Sequence, residues 1–198
     1  MELQDVVQRR RMVRAFEERP VPPDVLDRIL ANAIRAPSAG FSQGWAFLVL
    51  GGADETSRFW SAAFAGASPA GPRWTGIARA PVLVVALAHK QAYLDRYAAP
   101  DQGWTDRSEE RWPVPYWDID TGFAAMLMLL TAVDAGLGAL FFGFLPERVD
   151  AFRAAFGVPP AFRPIGAIAL GYPAPDTPSA SLRRGRRPVA EVVHRGRW

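Results

Sequence analysis

The chain has 198 residues, of which 49% are hydrophobic and 22% charged, with a formal net charge of +3. That balance belongs to a folded domain of ordinary size, not to a disordered chain. There is no cysteine, and the two histidines are His89 and His194. Disulfides, thiolate nucleophiles and cysteine-bound metals are thereby excluded, and a histidine metal site or Ser-His-Asp triad has little support.

Taken in chain order, Leu3, Val6 and Val7 ahead of an arginine run predict a short first helix. The opening residues have no apolar run ending in small residues, so no signal peptide is expected. Val21-Pro22-Pro23-Asp24 reads as a helix start, because proline is tolerated in the first turn. Leu26, Ile29, Leu30, Ala33 and Ile34 follow at helical spacing, and Pro37 and Gly40 end the run. Apolar residues 45–50 and 82–88 predict two buried strands.

The segment 90–117 is different. It is polar, carries Pro100, Pro113 and Pro115, and holds Trp104, Trp112 and Trp117. It reads as a lid-like excursion whose tryptophans either cover a ligand or pack on the domain. Residues 118–135 are apolar nearly all round, which marks a buried helix, with Gly136 as its stop. Asp118 and Asp120 read as caps of that helix rather than as a carboxylate pair. Met126 and Met128 read as core or dimer packing. The longest apolar stretch, 123–130, is far too short to span a bilayer. A soluble, cytoplasmic protein without a membrane partner is expected.

A third strand is predicted over 137–142, an amphipathic helix over 147–156 and a fourth strand over 165–170. From 173 to 198 the chain reads as an extended tail. It is rich in proline, serine and arginine, has too few apolar residues for a core of its own, and ends on Trp198. His194 reads as a surface residue. Mixed helices and short apolar strands predict a single α+β domain over 1–198.

Two segments stand out chemically. Arg10 and Arg14 are four apart and share a face on a helix or helix end. Two guanidiniums together make an anion site, although a solvated basic helix end is equally consistent with them. Residues 36–45, Ala-Pro-Ser-Ala-Gly-Phe-Ser-Gln-Gly-Trp, link a helix to a strand. Small residues there let backbone amides approach a flat or phosphorylated ligand, and Ser38, Ser42 and Gln43 add side-chain hydrogen bonds. The bland alternative is a tight turn. The 183–187 basic run lacks interleaved aromatics, so no nucleic-acid partner is expected.

Together these segments resemble the nitroreductase family of flavoproteins. The resemblance rests on the Arg10–Arg14 start with Phe16 beyond it and on the Ala36-Pro37-Ser38…Gln43…Trp45 turn. It continues through Asp120-Thr121-Gly122, Gly136-Leu137-Gly138, Gly143, Pro164-Ile165-Gly166, Leu170-Gly171-Tyr172-Pro173 and Arg184-Gly185-Arg186-Arg187-Pro188. It implies a layered α/β/α sandwich with a central, mostly antiparallel sheet, in an intertwined homodimer holding FMN at the interface.

By that resemblance Arg10, with neighbouring Arg11 and with Arg184 and Arg186 of the tail, meets the FMN phosphate. Arg14 lies near the pyrimidine edge of the flavin, beside Met12. Pro37, Ser38 and Ala39, with Gln43, reach the flavin of the partner subunit. Phe142 and the Gly143 backbone lie near flavin N5, and the tail lies on the partner. No side chain is assigned as catalytic. The implied reaction is ping-pong transfer of two electrons from NAD(P)H to a nitroaromatic, quinone or similar small aromatic acceptor. The alternatives are a narrower reaction such as reductive dehalogenation, and flavin storage or sensing with little turnover. The chain departs from the family at three positions: Met12 where Ser is usual, Phe41 where Asn is, and Gly44 where Pro is.

Overall fold

Four strands build one antiparallel sheet, β1 (Trp45–Gly51), β2 (Val82–Ala88), β3 (Gly138–Phe142) and β4 (Arg163–Gly171), in the order β1-β2-β4-β3. The computed structural model describes residues 1–65, 75–176 and 179–198. Among these, six α-helices surround the sheet: α1 (Leu3–Arg9), α2 (Pro23–Ala33), α3 (Gly52–Phe64), α4 (Lys90–Tyr97), α5 (Tyr116–Asp134) and α6 (Val149–Phe156).

The strands alternate between two cores, because successive side chains on a strand point to opposite faces. Leu83, Val85, Leu87, Ala167 and Ala169 face one way, toward Phe59, Trp60 and Phe64 of α3 and Phe152 of α6. Val82, Val84, Ile168 and Leu170 face the other way, toward Ile29 and Ala33 of α2 and Ala124, Ala125, Met128 and Ala132 of α5. β2 is buried at every position, as expected of an inner strand with both faces covered. The result is the expected α/β/α sandwich. Each fully buried large side chain contributes about 1.5–3 kcal/mol of transfer free energy, and Phe59 touches the rings of Trp60, Phe64, Phe142, Phe144 and Phe152.

Three local features differ from expectation. α3 lies where no helix was expected, beyond the Gly51-Gly52 pair. Asp54 and Glu55 in its first turn favour its positive end, and Phe59, Trp60, Ala63 and Phe64 form its buried stripe. The helix read as 118–135 begins at Tyr116, so Asp118 and Asp120 lie inside it and cap nothing. Its far end is as expected: Gly136, at φ +75°, closes it. Finally, α1 stops at Arg9. The next residues run extended beside β3, with Met12 bridged in parallel to Ala139 and Val13 N–H donating to the Ala139 carbonyl at 3.0 Å.

The excursion opens with a helix, α4, and then folds over itself. Trp112 contacts the rings of Tyr93, Tyr97, Trp104, Tyr116 and Trp117. Of the tail, residues 177 and 178 lie outside the described residues. Among the described residues no helix is long and apolar enough to cross a membrane.

Candidate functional site

β3 is an edge strand, and two cavities near it hold six of the twelve expected residues. The first is a groove of about 530 Å³ walled on one side by Arg10, Arg11, Met12 and Arg14. Asp176, Ser179, Ser181, Leu182, Gly185 and Arg186 wall the other. Arg10 and Arg14 do not share a helical face, since the helix ends before them. They share a side of an extended segment, where an even spacing has the same consequence. Arg14 is held in place, its Nη1 donating to the Met12 carbonyl at 3.2 Å and its backbone N–H to Asp176 Oδ2 at 3.3 Å. Four guanidiniums face one carboxylate, and Ser179 and Ser181 add hydroxyls. That donor set suits a phosphate. Arg184 is exposed on the same tail but does not line the groove.

The second cavity, of about 650 Å³, lies past the end of β3. Asp118, Gly143, Phe144, Arg153, Arg163 and Ile165 are among its walls, and Arg163 is ion-paired to Asp118. Nothing lies within 4 Å of where a Cβ on Gly143 would sit. Internal packing therefore does not require glycine there, and its bare backbone leaves room for a flat ligand to approach. Phe142, expected beside Gly143, does not line this cavity, because its ring is turned into the core and stacks on Trp60 at 5.5 Å. Strand alternation dictates this, since residue 142 faces opposite to its neighbours. A third cavity, of about 620 Å³ beside Gly52 and Arg79, holds none of the expected residues.

The turn over 37–44 lies between α2 and β1. Ser38 Oγ accepts from Gln43 N–H at 3.0 Å, and Ser42 Oγ donates to the Ala39 carbonyl at 2.6 Å. Ala39 N–H donates to Asp120 Oδ2 at 2.8 Å. The same oxygen accepts from the Tyr93 hydroxyl at 2.8 Å. Asp120 is only 3% exposed, so its carboxylate is a buried hub joining the turn, α4 and α5. Burial first, and then the Asp120 carboxylate, pushes the Tyr93 hydroxyl far above the ordinary tyrosine range, so it remains a donor. Arg96 Nε donates to the Gly40 carbonyl at 2.9 Å. Gly44 is required where it stands, since a Cβ there would meet the Tyr93 ring at 2.4 Å.

Asp120, Tyr93, Arg96 and Asp176 were not expected at the site. The Asp120-Thr121-Gly122 motif ahead of an apolar run was the one signal available for Asp120. The other three depend on contacts distant in sequence.

The sequence pattern of the nitroreductase family matches residues 7–172, which takes in the arginine start, the turn, the Asp120 helix and the last strand. The chain belongs to the nitroreductase family. A relative from Thermus thermophilus, described as an NADH dehydrogenase, is 30% identical, with 84% of each chain covered. One from Methanothermobacter thermautotrophicus, described as an NADH dehydrogenase/NAD(P)H nitroreductase, is 28% identical over 88% of this chain and 78% of its own.

Among solved structures, a nitroreductase family protein from Clostridium difficile superposes with a TM-score of 0.75 at 22% identity, covering 100% of both chains. A nitroreductase from Desulfovibrio desulfuricans in complex with FMN gives 0.72 at 23%, covering 100% of this chain and 98% of its own. At these identities the structural matches establish the fold. As a family member the chain is a nitroreductase-like oxidoreductase, and FMN is the family's cofactor.

Proposed function

We propose that the chain binds FMN between two copies of itself and uses it to oxidise NAD(P)H. The observation that carries this reading is the groove gathering Arg10, Arg11, Arg14 and Arg186 with two serine hydroxyls. The Desulfovibrio relative's FMN complex supports the choice of ligand. When bound, FMN supplies two-electron transfer from NAD(P)H to a nitroaromatic, quinone or similar acceptor, with donor and acceptor taking turns at one site.

The chain's own residues bind, orient and stabilise charge. Arg10 and Arg186 hold the phosphate. Arg14, fixed by the Met12 carbonyl, puts a cation where negative charge builds up on the reduced cofactor, and so stabilises that charge with no proton moved by the protein. Gly143 leaves the ring face open. Pro37, Ser38 and Ala39 serve the partner's site, held there by Asp120.

A second copy is called for by apolar surface that one copy leaves bare. Tyr116, Ile119, Phe123 and Met126 form an exposed stripe along α5 at helical spacing. Leu182, Val189, Val192, Val193 and Trp198 are exposed along the tail, Trp198 at 99%. Patches of this kind mark interfaces, and a symmetric dimer covers both at once.

The test is the absorbance spectrum of the purified protein. A flavin band that bleaches on anaerobic addition of NADH or NADPH, and returns with an added quinone, is the expected result. A protein that stays colourless after incubation with FMN contradicts the reading.

A further inference from the structure

Three residues of the turn have left-handed backbone: Gly40 at φ +58°, Phe41 at +54° and Gln43 at +48°. Glycine adopts this region freely, and asparagine fairly readily, whereas for a bulky aromatic residue it is strained. The remaining non-glycine case among the described residues, Ala65, sits at the C-terminal cap of α3, where such geometry is ordinary. Phe41 has no such excuse, and the residue is 75% exposed. It therefore carries two costs, backbone strain and a largely unburied side chain, that nothing among the described residues of its own chain offsets.

Strain of this kind persists only where the surroundings over-determine it, and here they do. Phe41 N–H donates to the Ser38 carbonyl at 2.9 Å. Asp120 holds the turn on one side of Phe41 and Arg96 holds the Gly40 carbonyl next to it. A Cβ on Gly40 would meet the Tyr97 ring at 2.7 Å, so the turn is pressed flat against the aromatic cluster. The ring is thus presented outward by a rigid platform. Asp120, which anchors that platform, is on the same helix as the exposed Tyr116, Ile119 and Phe123, the face read above as covered by the second copy.

We infer that Phe41 is a specificity-determining residue: its ring forms an apolar wall at the partner subunit's flavin site, against which a flat aromatic acceptor packs. This rests on the proposed function, which brings the preceding residues of the turn to the partner's cofactor. Aromatic pairs gain from offset or edge contact beyond their buried area, and a ring fixed in advance loses little freedom when the ligand arrives. A surface selecting by flatness and apolarity favours quinones and nitroarenes over small polar oxidants.

The test uses the full-length, FMN-loaded protein and two variants, Phe41→Asn and Phe41→Tyr. The first readout is equilibrium binding of a non-reducible naphthalene carboxylate by calorimetry. Phe41→Asn should weaken it about 10-fold, whereas Phe41→Tyr should stay within about threefold of wild type. The second is thermal melting. Phe41→Asn should raise Tm by about 2–4 °C through release of strain. The third is the ratio of kcat/KM for a naphthoquinone to that for ferricyanide, which Phe41→Asn should lower about tenfold.

Unchanged naphthalene binding in Phe41→Asn overturns the inference. So does a fall in Tm with dissociation of the dimer, which would make Phe41 an interface anchor. A wild-type protein that takes up no FMN fails the proposed function itself and removes this inference with it. A yellow wild type with indifferent variants fails the inference alone.

Discussion

The turn over 37–44 and the tail over 179–198 are both read as parts of the cofactor site, yet one chain finishes only the first. The turn's polar groups are tied to two helices of its own fold, to α5 through Asp120 and to α4 through Arg96, and to each other through the Ser38–Gln43 pair. The tail's hydrogen bonds, among the described residues, stay within the tail, from Ser179–Ser181 to Arg187–Glu191. Its last ring contact is internal too, with His194 stacked on Trp198 at 4.2 Å. The lesson is a division of labour. The turn is braced within its own chain, whereas the tail, on the proposed reading, contributes cations and lies on the second copy.

The largest effect should come from removing the incomplete half. Deleting residues 179–198 should abolish FMN retention and dimerisation together while helix content by circular dichroism stays close to that of the shortened fold. A truncated protein that is still dimeric and yellow would mean that the tail is mere surface.

Next is the completed half. Asp120→Ala strips the acceptor from two donors, the buried Tyr93 hydroxyl and the partly buried Ala39 N–H, and a hydrogen bond to a charged group is worth about 1.5–3 kcal/mol. The two losses will not simply add, and a destabilisation of about 3 kcal/mol is expected in urea unfolding. Asp120→Ala should therefore damage stability first and flavin second, the reverse of the tail deletion.

The smallest effect is the removal of single cations. Arg10→Ala or Arg186→Ala should weaken FMN by about 10- to 100-fold, one charge-assisted phosphate contact of about 1.5–3 kcal/mol, with Tm of the cofactor-free protein unchanged. Fluorescence titration with FMN reads the first quantity. Unchanged affinity in both variants would reduce these arginines to solvated charge.

Much of this was legible in the sequence where a single local signal dominates. β2 was predicted at its observed bounds, because a continuous apolar run with β-branched residues admits few other readings. Gly136 ended its helix as expected, because a left-handed cap wants glycine. α3 was missed because its first half, from Asp54 to Arg58, is polar and follows two glycines, so a loop signal masked the stripe that starts at Phe59.

The arginine groove was legible as a set, but not as geometry: residues expected on a helix face lie on an extended edge instead. Asp120 was misread because its position ahead of an apolar run looks like a cap, and its partner Tyr93 is remote in sequence. The strain at Phe41 was not legible at all. The sequence shows an aromatic residue where the family has Asn, but the sign of φ is set by the bracing around it.

The central claim is that FMN and a second copy complete one site. Sedimentation velocity, followed at both the protein and the flavin absorbance bands, tests it most directly. The account predicts that flavin moves with a dimer, close to one FMN per chain, and that FMN stripped by dialysis at high salt leaves a dimer that weakens on dilution. Flavin moving with a monomer, or a stable dimer that never takes up flavin, would contradict it.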